Sequence, residues 1–214
     1  SLEEIWALVN ASERTRLHCM MLENCCYDFF ELSTLNMARQ GAFGEVLHVE
    51  GSYLHYLGGY WNGYWRNWRL DYNRKHDGDI YPTHGLGPVC QVLNIHRGDR
   101  MKTLVAMDTK SVNGYKYAEG QGGKPVDNFI SGDETSTLIR TELGKTILIE
   151  HDVMTPRPYD RMYQVVGSDG FAEKYPVERY CFREELVEGK EIDYARPGGE
   201  RIFVGEEKDA LMEK

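Results

Sequence analysis

Tyr81-Pro82-Thr83-His84-Gly85-Leu86-Gly87-Pro88 marks the point where an irregular segment gives way to a helix. Thr83 is placed to accept from a first-turn N–H as an N-cap, Pro82 restrains the entry, and Leu86, Val89, Val92 and Leu93 recur at roughly helical spacing. His84 then stands at the head of a helix, held by backbone, with Tyr81 just ahead of it. Histidine titrates near neutrality without help, whereas Tyr53, Tyr81 and Tyr159 start from a phenol pKa of roughly 10. His84 is therefore the better acid/base candidate. The same Tyr-x-x-His also suits ordinary capping and packing, so the surrounding chain must decide.

Working outward, residues 2–15 carry Leu2, Ile5, Trp6, Leu8 and Val9 in a helix-compatible pattern, and 17–22 (Leu-His-Cys-Met-Met-Leu) read as a buried strand. Glu23-Asn24 close that strand, and the carboxyl ends of strands are where open α/β sheets bind ligands, which gives Asn24 a positional claim to function. Residues 26–40 predict an amphipathic helix with Tyr27, Phe30, Leu32, Leu35 and Met37 on its core side, stopped by Gly41. Residues 45–57 alternate as a long strand, with Tyr53 near its end. Between 58 and 80 periodicity gives way to Tyr60, Trp61, Tyr64, Trp65, Trp68 and Arg69. Flat aromatic faces suit a sugar ring or a nicotinamide, and Arg69 adds a planar donor fork; the same residues equally suit an oligomer interface.

Downstream, strands are expected at 101–109, 129–142, 145–154 and 160–167, with turns at Leu143-Gly144 and Ser168-Asp169-Gly170 and a surface linker over 119–127. Short, closely spaced β-prone segments beside a few helices predict an α/β (α+β) fold: an open mixed, mainly antiparallel sheet with helices on one face. Beyond residue 185 the chain is charged and weakly periodic, and weak order is expected there.

Composition narrows the function. With 34 acidic against 25 basic residues the formal charge is −9, which disfavours a general nucleic-acid binder. Cys19, Cys25, Cys26, Cys90 and Cys181 are odd in number and contain no CxxC, so neither a disulfide framework nor a structural metal is favoured; mostly buried thiols are expected. No run of eighteen apolar residues and no signal-like N-terminus occur, so no membrane partner is expected and the compartment stays open. GxSxG, HExxH, P-loop and GxGxxG motifs are absent. Glu23, Asp77 and Asp79 are too irregularly spaced to argue for a carboxylate pair over a solvated surface.

Met20–Tyr27, Leu35–Arg39, Gly44-Glu45, Trp68-Arg69-Leu70, Tyr81–Pro88, Ile95–Asp99 and Arg157-Pro158-Tyr159 together resemble the NAD-dependent α-N-acetylgalactosaminidases of glycoside hydrolase family 109, within the Gfo/Idh/MocA oxidoreductase superfamily. The resemblance runs over about residues 1–170. It implies a remnant of an N-terminal Rossmann domain at 1–24, a C-terminal substrate and oligomerisation domain at 25–185 and a charged tail at 186–214. It also implies NAD chemistry: oxidation at sugar C3, elimination across C2–C1, water addition and re-reduction, acting on terminal α-linked N-acetylgalactosamine.

By matching position, Asn24 is the NAD-contacting residue, while Tyr53, Arg69, Tyr81, Pro82, Thr83, His84 and Tyr159 contact substrate. His84 is then the general acid/base and Tyr53 the candidate for abstracting the C2 proton. Most of the NAD site and the family's Gly-His-Gly-Gly-Met-Asp segment have no counterpart, so the chain by itself is expected to be inactive. Leu54-His55-Tyr56-Leu57 departs from the family's Asp-Leu pair. A homo-oligomer through the open sheet is implied as well. A sugar or polyol dehydrogenase of the same superfamily, or a non-catalytic oligomerisation module, are the alternatives.

Overall fold

The computed structural model describes residues 1–57, 68–116, 129–183 and 200–213, and the side chains of 68–71 and 200 lie outside that description. The aromatic residues Tyr60, Trp61, Tyr64 and Trp65, the linker 119–127 and residues 186–199 of the tail also fall outside the described residues.

Eight strands form one sheet in the order β2-β3-β4-β1-β5-β6-β7-β8. They are β1 (Val46–Leu54), β2 (Met101–Asp108), β3 (Glu134–Thr141), β4 (Thr146–Asp152), β5 (Gln164–Gly167), β6 (Gly170–Glu173), β7 (Arg179–Arg183) and β8 (Glu200–Val204). Among them β1 and β4 pair in parallel, and the other pairs are antiparallel. The expected open, mainly antiparallel mixed sheet is what forms.

Helices α1 (Leu2–Thr15), α2 (Phe29–Arg39), α3 (Trp68–Lys75), α4 (Thr83–Val92) and α5 (Glu206–Met212) accompany it, with a 3-10 turn at Asn24–Tyr27. Alternation along β3 and β4 sends Ile139, Ile147 and Ile149 into the core beneath α2 and α4, where they meet Phe30, Leu35, Val89 and Leu93. Phe30 stacks on Tyr180 at 4.9 Å between ring centres, and the Tyr180 hydroxyl lies 3.0 Å from that of Thr34. The core is thereby carried out to the later strands.

Helix α4 lies on β1 with backbone against backbone. A Cβ on Gly51 would stand 2.3 Å from the Gly85 carbonyl oxygen, and one on Gly85 would stand 2.5 Å from the Ser52 nitrogen. No side chain fits between the two elements, so the head of α4 is fixed directly over the end of β1.

Several expectations are corrected. Residues 17–22 form no strand, and Leu17, Met20, Met21 and Leu22 are 66–70% exposed, because no described strand offers them a partner. Helix α1 forms where expected, but Leu2, Ile5, Trp6, Leu8 and Val9 are exposed too. The predicted helix over 26–40 divides into the 3-10 turn and α2, since the Asp28 side chain caps Phe29; Phe30 and Leu35 are buried, whereas Tyr27 and Leu32 face out. Cys25 and Cys26 are buried, Cys90 and Cys181 half-buried, and Cys19 exposed. Residues 200–213 form β8 and α5 inside the stretch expected to be weakly ordered, and Phe203 is buried. Two short strands, β6 and β7, lie where none was expected.

Candidate active site

The site forms at the carboxyl ends of the parallel pair β1 and β4, where α4 arrives overhead. Tyr53 belongs to a second apolar cluster with Leu57, Phe129, Val153 and Met154, and Tyr81 packs against it. Its ring meets His84 edge-to-face at 4.9 Å and Tyr81 at 5.2 Å, and Tyr81 meets His84 at 4.8 Å. Two phenols and an imidazole thus share one wall, drawn from strand, loop and helix.

Glu23 completes this group. His84 Nδ1 lies 2.6 Å from Glu23 Oε1, and the same oxygen accepts from the Cys25 N–H at 3.1 Å. Burial works against the Glu23 carboxylate, yet the Cys25 N–H, the Thr83 hydroxyl and His84 outweigh it and hold the carboxyl below its ordinary pKa. An ionised carboxylate on Nδ1 fixes that nitrogen as the N–H and leaves Nε2 to accept or deliver a proton. Gly87 permits the approach, since a Cβ there would stand 2.8 Å from Glu23 Cγ.

The far rim comes from the chain leaving β4. Asp152, buried at the strand end, accepts from the backbone of Met154 and Thr155 and pairs with Arg157 at 3.6 Å. A bridge between Leu54 and Asp160 then brings Tyr159 beside His55, edge-to-face at 4.9 Å. The Tyr53 hydroxyl reaches His55 Nδ1 at 3.0 Å. Burial, followed by His84, lowers the His55 pKa, and burial raises that of Tyr159.

Of the residues singled out in the sequence, Tyr53, Tyr81 and His84 converge, and Tyr159 joins them through His55. Pro82, not Thr83, is the N-cap of α4: Pro82 already has near-helical angles, and the Thr83 hydroxyl turns to Glu23 instead of to the helix backbone. Asn24 opens the 3-10 turn, exposed, beside Glu23. Arg69 lies in the first turn of α3, with its side chain outside the described residues. Sequence reasoning missed Glu23 as the partner of His84; its place at the end of the 17–22 run, beside Asn24, was the available signal. Of the carboxylates Glu23, Asp77 and Asp79, Glu23 is engaged with His84 and Asp79 accepts from the Tyr81 N–H.

The family model for the glycosyl hydrolase 109 C-terminal domain matches residues 27–191. The chain belongs to glycoside hydrolase family 109. It is 63% identical over 215 residues to glycosyl hydrolase family 109 protein 1 of Bacteroides thetaiotaomicron and 61% identical to a glycosyl hydrolase family 109 protein of Porphyromonas gingivalis. Both alignments take in all of this chain and 46% of the relative, so the chain spans about half the length of these proteins.

Among solved structures, an inositol dehydrogenase homologue from Azotobacter vinelandii, complexed with NADH and myo-inositol, superposes with a TM-score of 0.63 at 17% identity, over 95% of this chain and 47% of that one. UDP-N-acetylglucosamine 3-dehydrogenase from Acidithiobacillus ferrooxidans gives 0.61 at 15% identity, over 99% and 56%. At such identities the likeness is one of fold: the family 109 chain shares its arrangement of sheet and helices with these two dehydrogenase structures.

Proposed function

We propose that this family 109 chain is the sugar-binding and acid/base half of an NAD-dependent glycosidase acting on terminal α-linked N-acetylgalactosamine. The observation that carries the reading is the His84 imidazole, held on Nδ1 by Glu23 and walled by Tyr53 and Tyr81. Aromatic faces take the C–H side of a pyranose while an oriented imidazole handles its hydroxyl protons.

Position and donor type support the reacting end of a dinucleotide here. Asn24, exposed beside Glu23 at the edge of the aromatic wall, offers both an amide donor and an acceptor. The reacting end of the cofactor is the part this reading assigns to the chain. Bound NAD would supply a reversible hydride acceptor at sugar C3. The residues of the chain do the rest. His84 Nε2 takes the C3 hydroxyl proton as the ketone forms and returns it at the end. The ketone acidifies the C2 proton, which Tyr53 removes as the phenolate left when its hydroxyl proton passes to His55 Nδ1, 3.0 Å away, while the anomeric C1–O bond breaks and the leaving oxygen takes a proton from solvent. Water then adds at C1, and the C2 proton is restored. Arg69, Tyr81, Pro82, Thr83 and Tyr159 are assigned to holding the sugar.

The test joins this chain to the remaining half of the length its relatives have and assays p-nitrophenyl α-N-acetylgalactosaminide. Phenol release without net NADH, lowered about 10²-fold or more by His84→Ala, is the expected result. Net NADH from a sugar or polyol would mean a dehydrogenase instead. Turnover by the chain without that half would refute the division of labour.

The outer face of the sheet supports a second element of the proposal, a homo-oligomer. Val105, Leu138 and Leu148 are register neighbours across β2, β3 and β4, with Val105 63% and Leu138 52% exposed. Among the described strands β2, eight residues long, stands at the edge of the sheet. A second copy of the chain, presenting the same row, is the occupant proposed.

A further inference from the structure

Glu23, Cys25 and His84 each bring one donor atom to within 4.8 Å of the other two, and among the described residues they are the one group of metal-ligating type so placed. Glu23 and Cys25 flank the start of the 3-10 turn, and His84 comes down on them from the head of α4. Cys25 is 3% exposed, and the side chains of Glu23 and His84 are 9% and 15% exposed. The acid/base reading uses the carboxylate and the imidazole. It gives the thiol no task.

The three donors differ in kind: one oxygen, one sulfur and one nitrogen. Magnesium and calcium select oxygen-only cages, whereas zinc accepts thiolate, imidazole and carboxylate together, and three protein ligands leave its fourth tetrahedral position open. Bonds of about 2.1 Å at tetrahedral angles hold ligand atoms roughly 3.4 Å apart. The Glu23–His84 pair, now at 2.6 Å, would open by less than about 1 Å, and the widest donor pair, within 4.8 Å, would close by about 1 Å.

Supporting partners are already in place. The Cys25 N–H and the Thr83 hydroxyl hold Glu23, and Arg161 hydrogen-bonds the Cys25 thiol. Binding an ion through the Cys25 sulfur takes the thiolate form and so expels a proton.

We propose that Glu23, Cys25 and His84 form a binding site for a thiophilic divalent cation, zinc foremost, whose occupancy silences the His84 acid/base pair. The ion replaces the proton between His84 Nδ1 and Glu23 and ties the imidazole to a positive charge. The silencing rests on the role given above to His84; the binding does not.

Cobalt(II) chloride added to the full chain carrying Cys19→Ser, which removes the exposed thiol, is the direct probe. One equivalent is expected to produce a thiolate-to-cobalt charge-transfer band, and zinc chloride is expected to bleach it by competition. Cys25→Ser should abolish the band, and Glu23→Gln and His84→Ala should each weaken cobalt binding by more than about tenfold, the loss seen when even a supporting partner is removed. Circular dichroism of each variant in the absence of metal confirms that it is folded. A band that survives in folded Cys25→Ser, or the absence of any band, overturns the site. If cobalt binds as described but the joined enzyme keeps full turnover with zinc bound, the site stands and the assigned role of His84 falls.

Discussion

The Nδ1 of His84 and the Oε1 of Glu23, 61 residues apart in the chain, lie 2.6 Å from one another and join the head of α4 to the turn that follows the exposed apolar segment. This contact sets the tautomer of the histidine and, behind the Cys25 N–H, helps to keep the acid ionised against its burial.

Glu23→Gln keeps the shape of the side chain and removes its charge. Imidazolium loses its counterion and the neutral ring its fixed tautomer, so kcat in the joined enzyme should fall about 10²-fold or more with little change in KM. A kinetic pH series on both proteins checks this. Equal kcat across the series would show that the carboxylate does not orient the histidine.

Asp79 supplies a pH dependence of stability. Its Oδ1 accepts from the Tyr81 N–H at 2.8 Å while Oδ2 is buried without a hydrogen-bond partner among the described residues, and burial raises its pKa to about 6, with Asp108 adding to the effect. The folded state therefore binds a proton more tightly than the unfolded state does. Stability from this group is full below the unfolded carboxyl pKa of about 4 and is lost as pH rises through about 6, a cost of about 2–3 kcal/mol above that. Asp79→Asn should raise Tm at pH 7.5, with the gain vanishing by pH 4. Thermal melts at the two pH values decide it, and an equal gain at both would sink the argument.

Lys174 contributes through a buried ion cluster. Its Nζ lies 2.7 Å from Glu31 and 2.6 Å from Asp28, with Arg161 at 3.5 Å from Glu31. Burial raises the Glu31 pKa despite these cations. Lys174→Met leaves a buried carboxylate with one partner fewer and should cost about 3 kcal/mol, while Lys174→Met with Glu31→Gln should cost less than the sum of the two single changes. Urea unfolding of the four proteins measures the coupling, and simple additivity would contradict it.

The outer sheet row yields a prediction on assembly. Val105→Lys with Leu138→Lys places charge in the middle of the face assigned to a second copy, and sedimentation should then show a monomer where the parent chain sediments as a larger species. Helicity and Tm should change little, since both side chains face water in the single chain. A parent chain that is monomeric at every concentration removes the assembly proposal.

Where apolar spacing and burial coincide, the sequence was a good guide. α4, β3 and β4 lie within a few residues of expectation because their inward positions alternate or recur cleanly, as Ile147 and Ile149 do, while β2 also lies close to expectation although its residues are exposed on both faces. The 17–22 run misled because hydrophobicity describes what a segment would bury and not whether a partner is present. β6, β7 and β8 run for four or five residues with charged ends, too short for periodicity to rise above composition. Tyr53, Tyr81 and His84 were legible by residue type and placement. Glu23 was not, because its meaning comes from a contact that no local pattern announces.

The close approach of Gly51 to Gly85 has a consequence for how this chain tolerates change. The alignment of His84 over Tyr53 is inherited from two residues with no side chain, at a spot where even one added methyl must push whole elements apart. Systematic substitution scored for folding should therefore be least forgiving at these two glycines, where every replacement fails alike. The reactive side chains should accept many replacements, each yielding a folded but impaired protein.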